Sequence, residues 1–474
     1  MLFVTIPFLI FFLFTFTIYW LLPLKFRFSI LLIASIIFYG SWSIPFTIHL
    51  VFIIALNHTV IELWKLWPNR WLFYSLQIAN IFNIGLFKYY YFFFDILGRI
   101  TGVSDWLDPT LRLSDRLNGI QILLPLGISF YTFQIMSYGI DIYRGSYKEQ
   151  HKFREVLLYI LFFPQLIAGP IMRGNELLPQ LTAMQNRLMP DIDTFKRAVW
   201  LILAGVFKKL LIADRVAPAL APFYYGDLSL IAAPMVWVYT FVALASLYAD
   251  FSAYTDLARG MGLLLGFEIP INFRAPFFLV SISDFWRRWH LTFSGWIRDY
   301  IYIPLGGSRV PELRSYLNLT ITFVIGGLWH GASYNFLIWG TFTGLILSVE
   351  SFGFRRGFTE WPTSILGRVG RLTVTWFVLI LSAVFFFSPN LERTIQLLTQ
   401  MFSFNFVQET PVDVALLLYA IIAVFFFQFV EQWPAWFSKL RRYEAWLLPI
   451  IVVVVFGLIL QYSGQGKDFF YFQF

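Results

Sequence analysis

The chain has 474 residues, 58% hydrophobic, 21% aromatic and 13% charged, with a mean hydropathy of +0.69. Soluble domains carry about 25% charged residues, so half that share excludes an ordinary soluble enzyme. The 35 Lys and Arg against 27 Asp and Glu leave +8, which in a lipid-facing chain reads as loop charge meeting anionic lipid, with no nucleic-acid partner. The absence of cysteine removes disulfides, thiolate metal sites and a thioacyl-enzyme intermediate.

A spanning helix takes roughly 20 mainly apolar residues. The first run, residues 2–22, is long and lacks a small-residue cleavage site, so it reads as a first transmembrane helix and not a removable signal. Further apolar runs follow at 28–39, 48–63, 71–97, 120–140, 156–171, 198–213, 230–249, 317–328, 335–349, 372–387, 414–430 and 446–461. Some are too short to span alone, so the pattern predicts an all-α polytopic protein with about 11 transmembrane helices plus re-entrant or interfacial ones. Residues 102–118 and 173–197 read as extramembrane loops. Residues 1–100 and 372–462 are apolar with few charges, whereas 124–340 mix apolar stretches with Asp, Arg, His, Asn and Gly. Charges in membrane segments are costly and face a cavity or one another, which places any chemistry in the middle of the chain.

Three constellations stand out there. Asp284-Phe-Trp-Arg-Arg-Trp-His290 continues through Ser294 to Arg298, Asp299, Tyr300 and Tyr302 before Pro304-Leu-Gly306-Gly307 ends it. Read as one helix, it pairs Asp284 with Arg288 and puts Trp286, His290 and Ser294 on one face. The bland reading of Trp286, Trp289 and Arg287 is interface anchoring. The second is His330, which closes the apolar run 321–329 and opens Gly331-Ala-Ser333-Tyr334-Asn335. Its imidazole suits proton transfer near neutral pH, and the alternative is a buried histidine bonded to a carbonyl or to Tyr334. The third, Tyr248 to Asp256, sets Ser252 and Asp256, and Asp250 and Tyr254, four apart. Its acids are expected to pair with Arg287, Arg288 or Arg298 and lock the fold. No phosphate loop, nucleophile elbow or His-Glu-x-x-His zinc motif occurs. Gly260, Gly262 and Gly266 fit close helix packing better than dinucleotide binding.

These runs resemble the membrane-bound O-acyltransferase family, in particular the bacterial branch that O-acetylates alginate and other exopolysaccharides. The resemblance is carried by Leu124-Pro-Leu-Gly-Ile-Ser-Phe-Tyr-Thr-Phe133, Tyr138 with Asp141-Ile-Tyr-Arg-Gly145, Phe163-Pro-Gln-Leu-Ile-Ala-Gly-Pro170 with Arg173, Lys208-Lys209 with Asp214, the segments around Asp250 and His290, Gly326-Gly-Leu-Trp-His-Gly331, and the closing Phe469-Phe-Tyr-Phe-Gln-Phe474. A sister branch transfers D-alanine to teichoic acids. The resemblance implies one membrane domain, with N-terminal ring helices over 1–118, a polar catalytic core over 119–349 crossed by a tunnel, and C-terminal ring helices over 350–474. It implies that His330 is the catalytic histidine and His290 a second functional position. Arg288, Trp286, Ser294, Asn335, Asp250 and Asp256 are then candidate substrate-contacting groups. The donor is expected to be acetyl-CoA from the cytoplasm, with no bound cofactor and no metal. The acceptor is expected to be a polysaccharide hydroxyl, or a partner protein outside a bacterial inner membrane. A D-alanyl transferase, a polysaccharide-precursor transporter and a structural scaffold are the competing readings.

Overall fold

A computed structural model of the chain describes residues 3–102, 124–147, 151–186, 188–357, 364–433 and 444–462, which are helical and turn-forming with no strand among them. The predicted all-α polytopic class therefore holds. Two units share the chain. One comprises Met1–Phe14, Pro190–His330 and Tyr334–Phe474, the other Thr15–Met189 and Gly331–Ser333.

The second unit takes the end of α1 (Ile6–Leu21), from Thr15 on, and then α2 (Leu24–Gly40), α3 (Ile44–Leu66), α4 (Arg70–Lys88), α5 (Tyr90–Thr101), α6 (Ile128–Tyr143), α7 (Phe153–Leu161) and α8 (Gly174–Thr182). Side-chain caps start α3 and α4: Ser43 Oγ accepts from Phe46 N and Asn69 Oδ1 from Trp71 N, taking donors that a helix start leaves unpaired. Asn57 and Asn80 join α3 to α4 by two reciprocal amide bonds of 2.9 and 2.8 Å. The predicted span 71–97 is two helices, divided at Tyr89. The predicted span 156–171 is helical only to Leu161, because Pro164 and Pro170 cannot continue the ladder. The non-helical stretch beyond it is buried and held by Tyr159, whose hydroxyl donates to Met172 O at 2.9 Å, and by Gln165, whose Nε2 donates to Tyr159 O at 3.0 Å. The loop expected over 173–197 is largely helical. Arg173 N donates to Glu176 Oε2 at 2.7 Å to start α8, and Asp191 Oδ1 caps the next helix through Thr194 N at 2.8 Å. The other expected loop, beyond Gly102, and the closing Phe469–Phe474 run lie outside the described residues.

The first unit contains α9 (Ile192–Phe207), α10 (Ala233–Leu264), the short α11 (Ile282–Trp286) and α12 (Leu291–Ile297), α13 (Glu312–His330), α14 (Tyr334–Arg355), α15 (Ile365–Phe387), α16 (Leu391–Met401), α17 (Val414–Gln432) and α18 (Glu444–Tyr462). Among the described helices α3, α10, α14, α15 and α17 are each long and apolar enough to cross a membrane. In α10, 72% of the most apolar window is buried, against 22% in α17, so α10 is the central helix of its unit. Gly260 lets it meet α9, since a Cβ there would lie 2.8 Å from Ala198 O. Gly266 instead sits in the turn after α10 with φ 86°.

The pair α13–α14 brings His330 to its place. Small residues let two backbones approach where lipid gives no hydrophobic drive for association. A Cβ on Gly327 would strike Phe336 O, one on Gly340 would strike Phe323 O, and one on Gly344 would lie 2.6 Å from Thr320 Cα. All three obstacles are backbone atoms, which cannot rotate away. We expect Gly340→Ala to destabilise the protein by about 1–3 kcal/mol through overpacking. The measurement is thermal unfolding in detergent, and an unfolding temperature equal to wild type would refute this account of the crossing.

Candidate functional site

The polar interior of the first unit begins where α9 runs into a π-helical stretch, Lys208–Ala213. The wider turn shifts the helix register, and two consecutive lysines, each 1% exposed, end up buried together. Lys208 Nζ lies 2.5 Å from Asp256 Oδ2 and 4.0 Å from Glu431 Oε1. Lys209 Nζ lies 2.8 Å from both Asp250 Oδ1 and Asp214 Oδ1. The expected pairing of Asp250 and Asp256 with Arg287, Arg288 or Arg298 is therefore corrected: both acids pair with lysines, while Arg298 holds Asp299 at 2.6 Å. The π turn, invisible to a 3.6-residue pattern, is the reason.

Beyond α10 the chain runs without helix to α11 and is held by one face of α17. Gln428 Oε1 accepts from Phe277 N at 2.7 Å, Glu431 Oε2 from Ala275 N at 2.9 Å, and Gln432 Oε1 from Arg288 Nη1 at 2.9 Å. Tyr248 OH donates to the other oxygen of Glu431 at 2.6 Å. Sequence reading missed these three residues. The available signal was three polar side chains at i, i+3 and i+4 closing an apolar span. Ser281 caps α11 through Asp284 N at 3.1 Å, and Glu350 of α14 accepts from Ser283 N at 2.7 Å and from its hydroxyl.

The segment from Asp284 to Tyr302 is not one helix. It stops at Trp286, turns, restarts at Leu291 and becomes π-helical from Arg298. His290 stands at the restart with φ 43° and ψ 57°, a left-handed backbone that no α-helix carries. Trp286, His290 and Ser294 consequently do not share a helical face. The local pair does form, with Arg288 Nε 3.0 Å from Asp284 Oδ2.

Both histidines are buried, His290 at 0% and His330 at 4% exposure, and they share two aromatic neighbours. Phe293 lies 5.0 Å from the His290 ring and 5.4 Å from that of His330. Trp329 lies 6.0 and 4.9 Å away. Phe251 meets His290 edge-on at 4.6 Å, and among the described residues neither ring nitrogen of His290 has a hydrogen-bond partner. His330 faces an apolar pocket of about 50 Å³, against the ~10–15 Å³ that one water requires. Trp286, Trp289, Trp339, Leu379 and Phe386 line it, with hydroxyls from Thr343 and Ser382, which bond to each other at 3.3 Å.

Of the other candidates, only Trp286 reaches that pocket. Arg288 is held by Asp284, Gln432 and Arg274 O. Asn335 donates Nδ2 to Ser388 O at 2.9 Å, and Ser294 donates to Trp289 O at 3.2 Å. Among the described residues no cluster of three or more His, Asp or Glu could hold a metal ion.

Residues 148–360 match the sequence model of MBOAT, the membrane-bound O-acyltransferase family. The chain is 34% identical over 438 residues to a probable alginate O-acetylase, AlgI, of Pseudomonas aeruginosa, covering 87% of this chain and 79% of that protein. This chain belongs to the membrane-bound O-acyltransferase family. It is also 34% identical over 407 residues to a peptidoglycan O-acetyltransferase of Helicobacter pylori, covering 79% and 73% of the two chains. A teichoic acid D-alanyltransferase of Streptococcus thermophilus is 28% identical over 304 residues, 61% of this chain and 66% of the other. As a membrane-bound O-acyltransferase the protein is a multi-pass membrane enzyme that uses an acyl donor, which sets aside the transporter and scaffold readings.

In this acyltransferase the lysine cluster carries a direct consequence. Lys209→Met leaves Asp250 and Asp214 buried without their shared cation, and breaking a buried pair from one side typically costs 3–5 kcal/mol. The variant is expected to lose its monodisperse peak in detergent size-exclusion and to unfold at a lower temperature. A Lys209→Met protein as stable as wild type would show that the cluster does not hold the fold.

Proposed function

We propose that the protein transfers an acetyl group from cytoplasmic acetyl-CoA to a hydroxyl on the far side of a bacterial inner membrane, on an exopolysaccharide or on a partner protein that completes transfer. The relatives named for acetyl transfer to alginate and peptidoglycan support the acyl group and acceptor class. The observation that carries the reading is the pocket at His330. It is small and apolar, and no charged side chain lines it among the described residues. A two-carbon acyl group suits that lining. The ammonium of a D-alanyl group would enter it without a counter-charge, at a large desolvation cost.

In this mechanism donor and acceptor arrive along a tunnel from opposite faces and meet at His330. The imidazole takes the proton of the acceptor hydroxyl as its oxygen attacks the thioester carbonyl. The tetrahedral intermediate expels the thiolate, the C–S bond breaks, and the imidazolium returns the proton to sulfur. A thiolate leaves readily, so direct transfer needs no covalent enzyme intermediate. Asn335 donates Nδ2, and Arg288 donates Nε and Nη1, to groups within the protein, so we assign them to holding the site. His290 supports His330 through Phe293 and Trp329.

Loss of the base should lower transfer by roughly 10²–10⁴-fold. Polymer-bound O-acetyl is compared in cells lacking the gene and complemented with wild type or His330→Ala at matched membrane levels. The reading requires acetyl content restored by wild type and lost with His330→Ala. Full content with His330→Ala would remove His330 as base, and wild-type vesicles that consume D-alanyl donor but not acetyl-CoA would replace the acyl assignment.

A further inference from the structure

We propose that Asn272 is a positioning residue for acyl transfer: it caps α12 from outside that helix and so fixes His290 and Phe293 against His330. The inference rests on the reading of these histidines as the reaction site. Asn272 is fully buried, and its backbone oxygen and both side-chain polar atoms are engaged. Its backbone oxygen accepts from Leu291 N at 2.9 Å. Its Oδ1 accepts from Thr292 N at 3.3 Å and from Thr292 Oγ1 at 2.7 Å. Its Nδ2 donates to Thr255 Oγ1 on α10 at 3.4 Å.

Leu291 and Thr292 are the first two residues of α12, and their N–H groups have no acceptor within the helix. A helix normally meets that need with the side chain of its own first flanking residue. Here that residue is His290, whose side chain makes no cap and whose backbone is left-handed. Such a backbone is costly outside glycine and persists only where the surroundings over-determine it. Asn272 supplies both missing acceptors. A second backbone bond beside it, Arg274 N to Arg288 O at 2.9 Å, closes the neck of the 274–288 loop. Among the described residues, the two non-glycine residues with positive φ, Ala275 and His290, flank that neck. With the cap loosened, α12 can rotate, and Phe293 leaves the place where it meets both imidazoles.

The test uses membrane vesicles from the deletion strain carrying wild type, Asn272→Ala, Asn272→Asp, Thr292→Val, His290→Ala or the double Asn272→Ala/His290→Ala. Each is supplied with acetyl-CoA, read as acetyl transferred per enzyme, and paired with its unfolding temperature. Misplacement of the site should lower kcat of Asn272→Ala by ~10–100-fold while the KM for acetyl-CoA changes little. Asn272→Asp keeps the accepting oxygen and should restore most of kcat, which general destabilisation would not allow. In the His290→Ala background Asn272→Ala should add less than its loss in the wild-type background, because part of its effect passes through His290. Wild-type kcat in Asn272→Ala, or losses that multiply in the double variant, would overturn the proposal. If Asn272→Ala fails to accumulate, Thr292→Val decides, since it removes one donor to Asn272: reduced kcat supports the proposal and unchanged kcat overturns it. Undiminished transfer by both His290→Ala and His330→Ala vesicles would instead mean that the underlying site reading has failed, a result distinct from loss of the Asn272 effect alone.

Discussion

Two buried ammonium groups set the constraint on which the histidine-bearing unit depends. Lys208 and Lys209 are each 1% exposed, and a charge so placed is tolerable only when opposite charges and hydrogen bonds surround it. Asp214, Asp250, Asp256 and Glu431 provide them from the turn after the π stretch, from α10 and from α17. Because none of these elements can move away without stranding a charge, the cluster fixes their mutual position more tightly than apolar contact would. Lipid-facing helices slide against one another at little cost, and a buried ion network does not.

That constraint reaches the chemistry through neighbours in the chain. Asp250 precedes Phe251, the ring that meets His290 edge-on. Glu431 faces Lys208 and Tyr248 with one oxygen and takes the N–H of Ala275 with the other. The non-helical strap leading to α11 is thereby referenced to the same carboxylate as α10. Asn272 then ties the start of α12 to Thr255, one residue before Asp256. His290 is positioned from several directions by groups packed within the protein. On the other side of Phe293, His330 is positioned by a different device, the glycine crossing of α13 and α14.

Local information in the sequence was legible where structure is local. Most of the apolar runs became helices, Asp284 and Arg288 paired across one turn, and Gly260 marked a close helix contact. The two histidines proved to share neighbours, although the spacing argument for His290 was unsound because the helix breaks before it. What the sequence hid depended on departures from helical periodicity. A π turn redirected the two lysines, a left-handed histidine interrupted α11 and α12, and polar residues at the end of α17 reached a strap about 150 positions earlier, as in the 151-residue separation of Gln428 from Phe277. Each is set by tertiary partners that no window of one helix contains. The acids of α10 illustrate this well: that they pair with cations was readable, but which cations was not.

The charges and the pocket are also kept apart, and the separation has a chemical logic. His330 is the one titratable side chain among the described residues lining the pocket, whose remaining wall is aromatic and aliphatic apart from two mutually bonded hydroxyls. The lysine–carboxylate cluster stabilises the scaffold without placing a fixed charge beside the proposed reacting atoms. A nearby ammonium or carboxylate would bias one protonation state of the imidazole, and a base that must take a proton and return it within one turnover works best when neither state is strongly favoured. The wall around His330 is tryptophan, phenylalanine and aliphatic side chains, while the ions that hold the framework are neutralised by one another.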